Sequence, residues 1–345
     1  MKEGQNKSPS EPKLVDEILS TLGTEDGAQL LGSDGLAIKI RGVIPTQCPS
    51  VDLAIGRGGI PLGRLTIAHG AEGSGKTTLA LHIVASCQQQ GGVAIYMDKE
   101  YKLDPDYARN IGVDTSRLII VQPPYLEKVF SKCGSIIKKA AENRAQTGER
   151  TPILVVLDSM NAAITKSEFE GSYEDNTIAA QARVWSRSLP KLIPQVNKED
   201  IALLFISQVR QKIDVMYGKK DDIAGGNAPR FYASLIMDVK GLSATKEDGE
   251  KVSNKIRVEC IKNQIAPPFK KAECEIVYGR GIDKELSLLV AAEKLGLAKL
   301  TGTWWAYRNR KFGPGHKKAA EMLRGKHKKS AERMLEDIRS KAGWS

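Results

Sequence analysis

A glycine-rich segment carries the clearest chemical pattern in the chain. Gly70-Ala71-Glu72-Gly73-Ser74-Gly75-Lys76-Thr77 fits the pattern G-x-x-x-x-G-K-[ST] at every fixed position. Residues 65–69 before it predict a short buried strand, and residues 78–90 after it predict a helix, because their apolar side chains recur at helical spacing. In that context backbone N–H groups converge at a helix N-terminus, where the dipole favours an anion. The segment therefore predicts a loop that binds a nucleoside triphosphate, in preference to a chance glycine-rich turn.

Side chains suited to triphosphate hydrolysis stand in this loop and at the ends of other predicted strands. Lys76 can reach the β- and γ-phosphates, and the Thr77 hydroxyl can ligate Mg²⁺. Asp158 follows an aliphatic run and has the Walker B form, so it would hold Mg²⁺ directly or through water; the alternative is an ordinary strand-ending Asp. Glu100 is the candidate to orient and deprotonate the attacking water, with a solvated surface carboxylate as its alternative. Gln208 ends another strand and could hydrogen-bond the γ-phosphate.

Two loops are predicted on the same face as these residues. They span residues 168–175, after the Asp158 strand, and residues 209–226, after Gln208. The second contains cations and interspersed apolar side chains, among them Arg210, Lys212 and Ile213. Cations that track phosphates and apolar groups that stack or wedge suit single-stranded nucleic acid. A merely flexible surface loop is the alternative.

The hydrophobic pattern predicts the elements that position these residues. Apolar strands at 93–97, 118–122, 153–157 and 202–206 alternate with helices, the longest at 126–141. This alternation predicts an α/β fold with a mostly parallel sheet covered by helices on both faces. Apolar runs at 234–239, 256–261 and 274–278 follow one another without a helix, so they predict antiparallel strands that extend the sheet.

Both ends of the chain differ from this core. Residues 14–22 predict an amphipathic helix closed by Gly23, and residues 24–63 are rich in turn formers. Residues 301–345 hold 12 Lys and Arg against 4 Asp and Glu, a net charge of +8 out of +11 for the whole chain. Such a local basic block indicates a polyanionic partner, with a well-solvated helical surface as the alternative. The predicted divisions are 1–47, 48–283 and a small basic α/β part at 284–345.

Composition limits the class of protein. A chain of 345 residues with 41% hydrophobic and 27% charged residues is typical of globular domains. Its five cysteines lack C-x-x-C spacing and its four histidines do not cluster, so free buried thiols are expected and a zinc site is not. Without an apolar run of membrane-spanning length or a signal-peptide pattern, we expect a soluble, cytoplasmic protein.

From about residue 50 to residue 323, the chain resembles the bacterial RecA recombinases. The resemblance is carried by several motifs in order along the chain: Gly70–Thr78, Met97-Asp98-Lys99-Glu100, Leu103–Arg109, Val156-Leu157-Asp158-Ser159, Glu168–Gly171, Phe205–Arg210, Gly225-Gly226-Asn227-Ala228, Phe231–Ser234, Lys262–Ile265 and Pro268-Phe269-Lys270. A hexameric helicase or other motor with the same fold is a possible alternative, but the sequence through Gly225-Gly226-Asn227 argues against it.

The resemblance implies a RecA-like ATPase core, an N-terminal helix at the subunit interface and a small basic C-terminal domain. It implies ATP and Mg²⁺ as cofactors, and single-stranded DNA, duplex DNA and further copies of the chain in a helical filament as partners. The implied nucleotide-binding residues are Gly70, Glu72, Gly73, Ser74, Gly75, Lys76, Thr77, Thr78, Asp104, Tyr107 and Asp158, of which Asp104 and Tyr107 would contact adenine. The implied catalytic residues are Glu100, Lys76 and the γ-phosphate sensor Gln208.

Other residues would act across subunits or on DNA by the same resemblance. Phe231 and Lys262 match residues that reach ATP across a subunit interface, and Gln264 occupies a third such position. The implied DNA-binding residues are Ile178, Arg183, Ser186, Arg210, Lys212, Ile213, Gly225, Gly226 and Asn227. Ile178 and Ile213 would intercalate between bases.

The chain departs from the family pattern both among the residues that would act across subunits and among those that would contact DNA. Gln264 replaces a second trans-acting lysine, so hydrolysis is expected to be slower, because an amide stabilises developing negative charge less than an ammonium does. Pro190 stands where the family carries a DNA-contacting Arg, and Pro194 follows one turn later. Each removes a helix hydrogen bond, so a kink or break near 186–190 is expected. A basic helix at 331–342 stands where the family has an acidic tail.

Two functions of different classes follow. The leading hypothesis is an ATP-dependent recombinase that forms filaments on single-stranded DNA and catalyses homologous pairing and strand exchange with duplex DNA. The alternative is a filament or mediator protein that binds ATP and DNA with weak strand exchange, which Gln264 and Pro190 keep open.

Overall fold

The computed structural model describes residues 13–23, 28, 30, 40–172, 179–211, 221–308 and 310–344, and it divides the chain into two compact units, Met1–Ile40 and Arg41–Ser345. In the first unit, helix α1 spans Lys13–Leu22 and ends as predicted at Gly23. The φ of Gly23 is 71°, and its N–H donates to the Leu19 carbonyl. The apolar side chains of Leu14, Ile18 and Leu22 are exposed.

The second unit mostly alternates strands and helices as far as Gln208. In order these are β1 (Val43–Ile44), α2 (Pro49–Ile55), β2 (Ile60–Pro61), β3 (Leu65–Gly70), α3 (Lys76–Gln89), β4 (Val93–Asp98), α4 (Pro105–Ile111), β5 (Ile119–Val121), α5 (Leu126–Thr147), β6 (Ile153–Asp158), a 3-10 turn (Met160–Ala162), α6 (Lys166–Glu170), α7 (Ala180–Lys198) and β7 (Ile201–Gln208). Helix α2 lies in the segment predicted to be turn-rich. Pro49 begins it and Gly56 closes it in the left-handed region.

The remaining elements include a long antiparallel hairpin. They are β8 (Arg210–Gln211), β9 (Asp221–Asp222), α8 (Asn227–Tyr232), β10 (Leu235–Glu247), β11 (Glu250–Asn263), β12 (Lys271–Val277), β13 (Gly281–Ile282), α9 (Lys284–Lys294), β14 (Ala298–Thr301), β15 (Trp304–Tyr307), β16 (Arg310–Pro314), α10 (Gly315–Arg324) and α11 (Lys328–Ala342).

Within the described residues, nine strands form one sheet in the order β13-β12-β11-β10-β3-β7-β6-β4-β5. The pairings from β10 through β3, β7, β6 and β4 to β5 are parallel, and those from β10 through β11 and β12 to β13 are antiparallel. The predicted α/β class and the antiparallel extension are therefore confirmed. The carboxyl ends of β3, β4, β6 and β7 lie at one edge of the sheet, which is where parallel sheets bind ligands.

Helix packing on one face of the sheet supports this edge. Helices α5 and α7 cover one face of the sheet, and the core there contains Trp185, Phe205 and Met97, all fully buried. Trp185 meets Phe130 and Phe205 edge-on, with ring centroids 5.1 and 5.7 Å apart. Aromatic groups packed this way fix the helix relative to the strands that end at the site.

Of the predicted kink or break at the prolines, the break is wrong, because α7 continues through both Pro190 and Pro194. The kink stays a prediction. Both prolines lie on the exposed side of the helix, where water can solvate the carbonyl groups that lose their N–H partners. The opposite side is a buried stripe on the sheet, formed by Trp185, Leu189, Leu192 and Val196. Packing of this stripe therefore outweighs two missing hydrogen bonds.

Residues from α9 onward contribute a second hydrophobic cluster, which includes Leu289, Trp305, Phe312 and Ile338. Its three strands β14, β15 and β16 are antiparallel, and three helices accompany them. All five cysteines are buried and unpaired, as predicted from their spacing: Cys48, Cys87, Cys133, Cys260 and Cys274. Across the described ranges, none of the helices is long and apolar enough to span a bilayer.

Candidate functional site

The phosphate loop joins β3 to α3 and depends on its glycines. A Cβ on Gly70 would lie 2.1 Å from the Val239 carbonyl oxygen, so the loop leaves the strand where no side chain fits. Gly75 has a φ of 93°, and a Cβ there would lie 2.4 Å from Ile276 Cδ1. These two positions explain why the sequence pattern requires glycine.

Lys76 folds back over the loop that precedes it. Its ammonium donates to the carbonyl oxygens of Gly70 at 3.0 Å and Ala71 at 2.6 Å, and the residue is only 6% exposed. Burial lowers the pKa of Lys76, while the carboxylates of Asp158, Glu100 and Glu72 act in the opposite direction. Its third partner is the Ser74 hydroxyl at 3.4 Å. A buried ammonium whose described partners are all uncharged oxygens is suited to a strongly anionic ligand.

Thr77 and Asp158 are brought together from α3 and β6. The Thr77 hydroxyl donates to Asp158 Oδ2 at 2.8 Å, and the Tyr96 hydroxyl donates to the same oxygen at 2.6 Å. Burial raises the pKa of Asp158, and these two hydrogen bonds work against that shift. One hydroxyl and one carboxylate form a hard oxygen set of the kind that Mg²⁺ prefers, so the residues present fit that ion.

Glu100 follows the end of β4 in a turn shaped by its neighbours. Asp98 Oδ1 accepts from the backbone N–H groups of Glu100 at 3.0 Å and Tyr101 at 2.8 Å. Lys99 is buried, and its ammonium donates to the carbonyl oxygens of Pro123 at 2.7 Å and Pro124 at 3.0 Å. The turn that carries Glu100 is therefore tied both to its own strand and to the segment before α5.

The side chain of Glu100 contacts two further strand ends. Its Oε1 accepts from Gln208 Nε2 at 2.9 Å and from the Ser159 hydroxyl. Gln208 is held in turn by Asn161, whose Oδ1 accepts from the Gln208 N–H at 2.7 Å. The predicted catalytic carboxylate and the predicted γ-phosphate sensor are thus hydrogen-bonded to each other.

These residues surround one cavity of about 260 Å³. Its lining contains Glu72, Gly73, Gly75, Lys76, Thr77, Thr78, Glu100, Lys102, Asp158, Ile206 and Gln208. Beside it, the Tyr107 hydroxyl and Thr78 Oγ1 are 2.9 Å apart. Asp104 caps α4, since its Oδ1 accepts from the N–H groups of Asp106 and Tyr107. The arrangement can hold a triphosphate, position a carboxylate beside it and fix the flanking α4 that carries Tyr107.

Three residues predicted to act across subunits do not line this cavity. Phe231 at the end of α8 is 73% exposed and packs edge-on against Tyr232. Lys262 near the end of β11 donates to the carbonyl oxygens of Arg230 at 2.9 Å and Phe231 at 2.8 Å. Gln264 follows β11 and is exposed. Phe231 and Lys262 thus contact each other, and both stand apart from the phosphate loop's own lining.

Comparison with known proteins gives a consistent answer. The family model described as the RecA N-terminal domain matches residues 15–283. The RecA protein of Aquifex aeolicus is 39% identical over 300 residues, which cover 87% of this chain and 84% of that protein. The RecA protein of Heliobacterium modesticaldum is 36% identical over 332 residues, covering 96% and 92%, and that of Bifidobacterium breve is 40% identical over 282 residues, covering 82% and 69%.

The chain belongs to the RecA family. Membership makes it a DNA recombinase with DNA-dependent ATPase activity. The fold agrees, since a large, mostly parallel sheet flanked by helices presents the phosphate loop at its carboxyl edge.

The structure describes some, but not all, of the residues that the RecA resemblance assigns to DNA binding. Arg183 and Ser186 lie on the exposed side of α7, and Asn227 begins α8. Gly225 packs against α7 so closely that a Cβ would lie 2.5 Å from Trp185 Cδ1. Arg210 is placed by its backbone, which pairs with Asp222 in a short hairpin. Ile178, Lys212 and Ile213 lie outside the described residues.

The first predicted loop begins inside a helix, because residues 168–170 belong to α6. Thr165 caps α6 in a capping box with Glu168, whose N–H donates to the Thr165 hydroxyl. Residues 173–178 lie outside the described part of the chain, as do residues 212–220 of the second loop.

Sequence reasoning missed four residues that shape this RecA site: Tyr96, Lys99, Ser159 and Trp185. Tyr96 and Ser159 contact Asp158 and Glu100, while Lys99 and Trp185 hold the turn and the helix that support them. Tyr96 had one available signal, since it lies two residues before Asp98 on a strand and so shares its face of the sheet. Lys99 and Ser159 stand in motifs that carry the family resemblance, but their contacts, like those of Trp185, depend on partners far away in the sequence.

Proposed function

We propose that the 260 Å³ cavity binds the triphosphate of ATP together with Mg²⁺, and that the residues around it hydrolyse the γ-phosphate. The observation that carries this proposal is the meeting of Lys76, Thr77, Asp158, Glu100 and Gln208 from four strand ends around one cavity. Asp104 and Tyr107 on the neighbouring α4 are the proposed adenine contacts. Gly70, Glu72, Gly73, Ser74, Gly75 and Thr78 complete the nucleotide site.

In the proposed reaction Glu100 orients a water molecule and accepts its proton as the water attacks phosphorus. The Lys76 ammonium, buried and held by carbonyl groups, stabilises negative charge on the transferred phosphoryl group. Thr77 and Asp158 are the proposed holders of Mg²⁺, which would neutralise charge on the triphosphate. Gln208 exchanges its hydrogen bond with Glu100 for one with the γ-phosphate, and so reports nucleotide state to the segment that begins at Val209.

Single-stranded DNA is the proposed partner of the exposed side of α7 and of the segment that follows Gln208. Arg183 and Ser186 are exposed there, and the Gly225-Gly226 pair lets the following α8 approach α7 closely. Arg210, Lys212, Ile213, Ile178 and Asn227 complete the proposed contacts. Duplex DNA is the proposed partner of the C-terminal part, where five lysines are exposed: Lys317, Lys318, Lys326, Lys328 and Lys329.

Further copies of the chain are the third proposed partner, in a helical filament. Helix α1 exposes Leu14, Ile18 and Leu22, which an isolated amphipathic helix must bury on another surface to be stable. Removal of residues 1–23 is expected to leave a folded protein that no longer polymerises. Normal filaments of the shortened chain in negative-stain micrographs would contradict this role, and far-ultraviolet circular dichroism checks that it is folded.

A strand-exchange assay tests the whole proposal. A homologous single strand, the protein and ATP should invade a duplex, and a non-hydrolysable analogue should support pairing while it blocks turnover of the filament. A chain that binds ATP and DNA but leaves the duplex unpaired would instead be a filament or mediator protein. The cytoplasmic location predicted from the sequence stays part of this proposal.

A further inference from the structure

Tyr96 is a buried residue next to the phosphate loop that the proposed mechanism does not use. It lies in the middle of β4 and is 1% exposed. Its hydroxyl donates to Asp158 Oδ2 at 2.6 Å. The two strands are paired so that Asp98 is opposite Asp158 and Tyr96 is opposite Val156.

This register explains why a tyrosine is needed to make the contact. Paired residues of neighbouring strands point to the same face, and residues two apart on one strand share that face. Tyr96 must therefore reach along the strand by about 6.6 Å to contact Asp158. A phenol on its rigid ring covers that distance, whereas a shorter hydroxyl side chain at this position does not.

The contact controls how the Asp158 carboxylate is held. Oδ2 accepts from both Tyr96 and Thr77, so one oxygen is fixed by two donors from different elements. Oδ1 accepts no hydrogen bond from the residues that the structure describes. The carboxylate therefore has one restrained oxygen and one that is available to a ligand of the cavity, which Asp158 lines.

We infer that Tyr96 is a positioning residue for divalent-metal binding, because it fixes the Asp158 carboxylate against Thr77 so that its other oxygen faces the metal or its water. This inference rests on the proposed role of Asp158 as a Mg²⁺ holder. Hydrogen-bond partners of metal-ligating side chains orient those ligands, and their loss commonly weakens metal binding 10- to 100-fold. A purely structural tyrosine would affect thermal stability and leave the metal requirement unchanged.

The test is a Mg²⁺ titration of nucleotide binding without turnover. A fluorescent ADP carrying an N-methylanthraniloyl group is bound first in the presence of a chelator and then with increasing free Mg²⁺. Tyr96→Phe keeps the ring and its packing, and it should raise the Mg²⁺ concentration for half-maximal effect by about 10-fold. The affinity for the same ADP analogue without metal should stay as in the parent, which also verifies that the variant is folded.

Two further variants separate the possible outcomes. Tyr278→Phe makes the same change at an exposed tyrosine that follows β12 and does not line the cavity, so it should leave the Mg²⁺ titration unchanged. Asp158→Asn should raise the Mg²⁺ requirement at least as much as Tyr96→Phe does. An unchanged requirement in Asp158→Asn would refute the proposed metal site itself. A raised requirement in Asp158→Asn with a parental one in Tyr96→Phe would overturn only the role of Tyr96.

Discussion

The cavity at the phosphate loop and the surface formed by Phe231, Lys262 and Gln264 are built in opposite ways. Around the cavity, the functional side chains are hydrogen-bonded to one another, as Glu100 is to Gln208 and Asp158 is to Thr77. At the surface, Phe231 is 73% exposed and the Lys262 ammonium donates to the carbonyl oxygens of Arg230 and Phe231. Burial also lowers the pKa of Lys262, and the neighbouring Arg230 adds to that shift.

This contrast suggests separate roles for the cavity and the surface in the proposed filament. The cavity is preorganised, because its dipoles and charges are already oriented before a ligand arrives. In the proposed filament, the surface would present an aromatic ring, an ammonium and an amide to a nucleotide bound by a second subunit. Binding of ATP is therefore expected to depend on one chain, and rapid hydrolysis on two.

The largest effect is expected from Glu100→Gln, which keeps the shape of the cavity and removes its base. Single-strand-stimulated ATP turnover should fall about 10²- to 10⁴-fold, because a neutral amide accepts no proton from water. Binding of ATP and filament formation should persist, since Gln208 can still hydrogen-bond the amide. Turnover is measured by phosphate release, and filaments are examined by negative-stain microscopy.

The control for this experiment is Glu250→Gln, which makes the same chemical change on the exposed hairpin between β10 and β11. It should hydrolyse ATP as the parent does. Parental turnover in Glu100→Gln would mean that another group activates the water, and the cavity would not be the preorganised half of the site.

An intermediate effect is expected where Gly225, a proposed DNA-binding residue, packs on the buried Trp185 of α7. In Gly225→Ala the new Cβ would lie 2.5 Å from Trp185, at a φ of 89°. The free energy of unfolding should fall by about 2–4 kcal/mol, from backbone strain together with the clash. Urea denaturation followed by tryptophan fluorescence measures the change.

Gly249→Ala is the matched control, because Gly249 has nearly the same φ, 88°, with no heavy atom within 4 Å of the added Cβ. It carries the backbone strain alone and should cost about 1 kcal/mol. Equal losses for the two variants would show that α7 shifts at Trp185, and that the proposed DNA-binding segment around Gly225 is not rigidly supported.

The smallest effect is expected from Gln264→Lys, which tests the surface half of the comparison. A second ammonium facing a neighbour's ATP should stabilise charge in the transition state and raise single-strand-stimulated turnover roughly 3- to 10-fold. Filaments should disassemble sooner, and affinity for single strands should not change. The rate is measured at saturating ATP and single-stranded DNA.

The alternative hypothesis is that hydrolysis is not slowed, because Lys270 or Lys271 supplies the positive charge that Gln264 lacks. Both lysines follow Gln264 closely in the chain. Lys271 lies 3.3 Å from Glu259 in an ion pair, so the remaining candidate is Lys270. Equal turnover in the parent and in Gln264→Lys would favour compensation. Loss of turnover in Lys270→Gln would then identify the compensating cation.

Sequence reasoning succeeded where a pattern is local. The phosphate loop, its strand and its helix are read from consecutive residues, and the antiparallel strands β10, β11 and β12 follow from apolar runs without a helix between them. The prolines of α7 show the limit of this reasoning. Pro190 and Pro194 predict a break from their own chemistry, whereas the outcome depends on which side of the helix they occupy and on what the other side packs against.

The phosphate loop, the proposed Walker B aspartate and the α/β core are predictable from the sequence alone, because each depends on residue types at fixed short spacing. The contact of Glu100 with Gln208, which is 108 residues away, and the sharing of one Asp158 oxygen by Tyr96 and Thr77 are visible only in the folded chain. The physical reason is the register of the sheet. A shift of one residue between β4 and β6 would turn Tyr96 away from Asp158 and leave every local pattern intact.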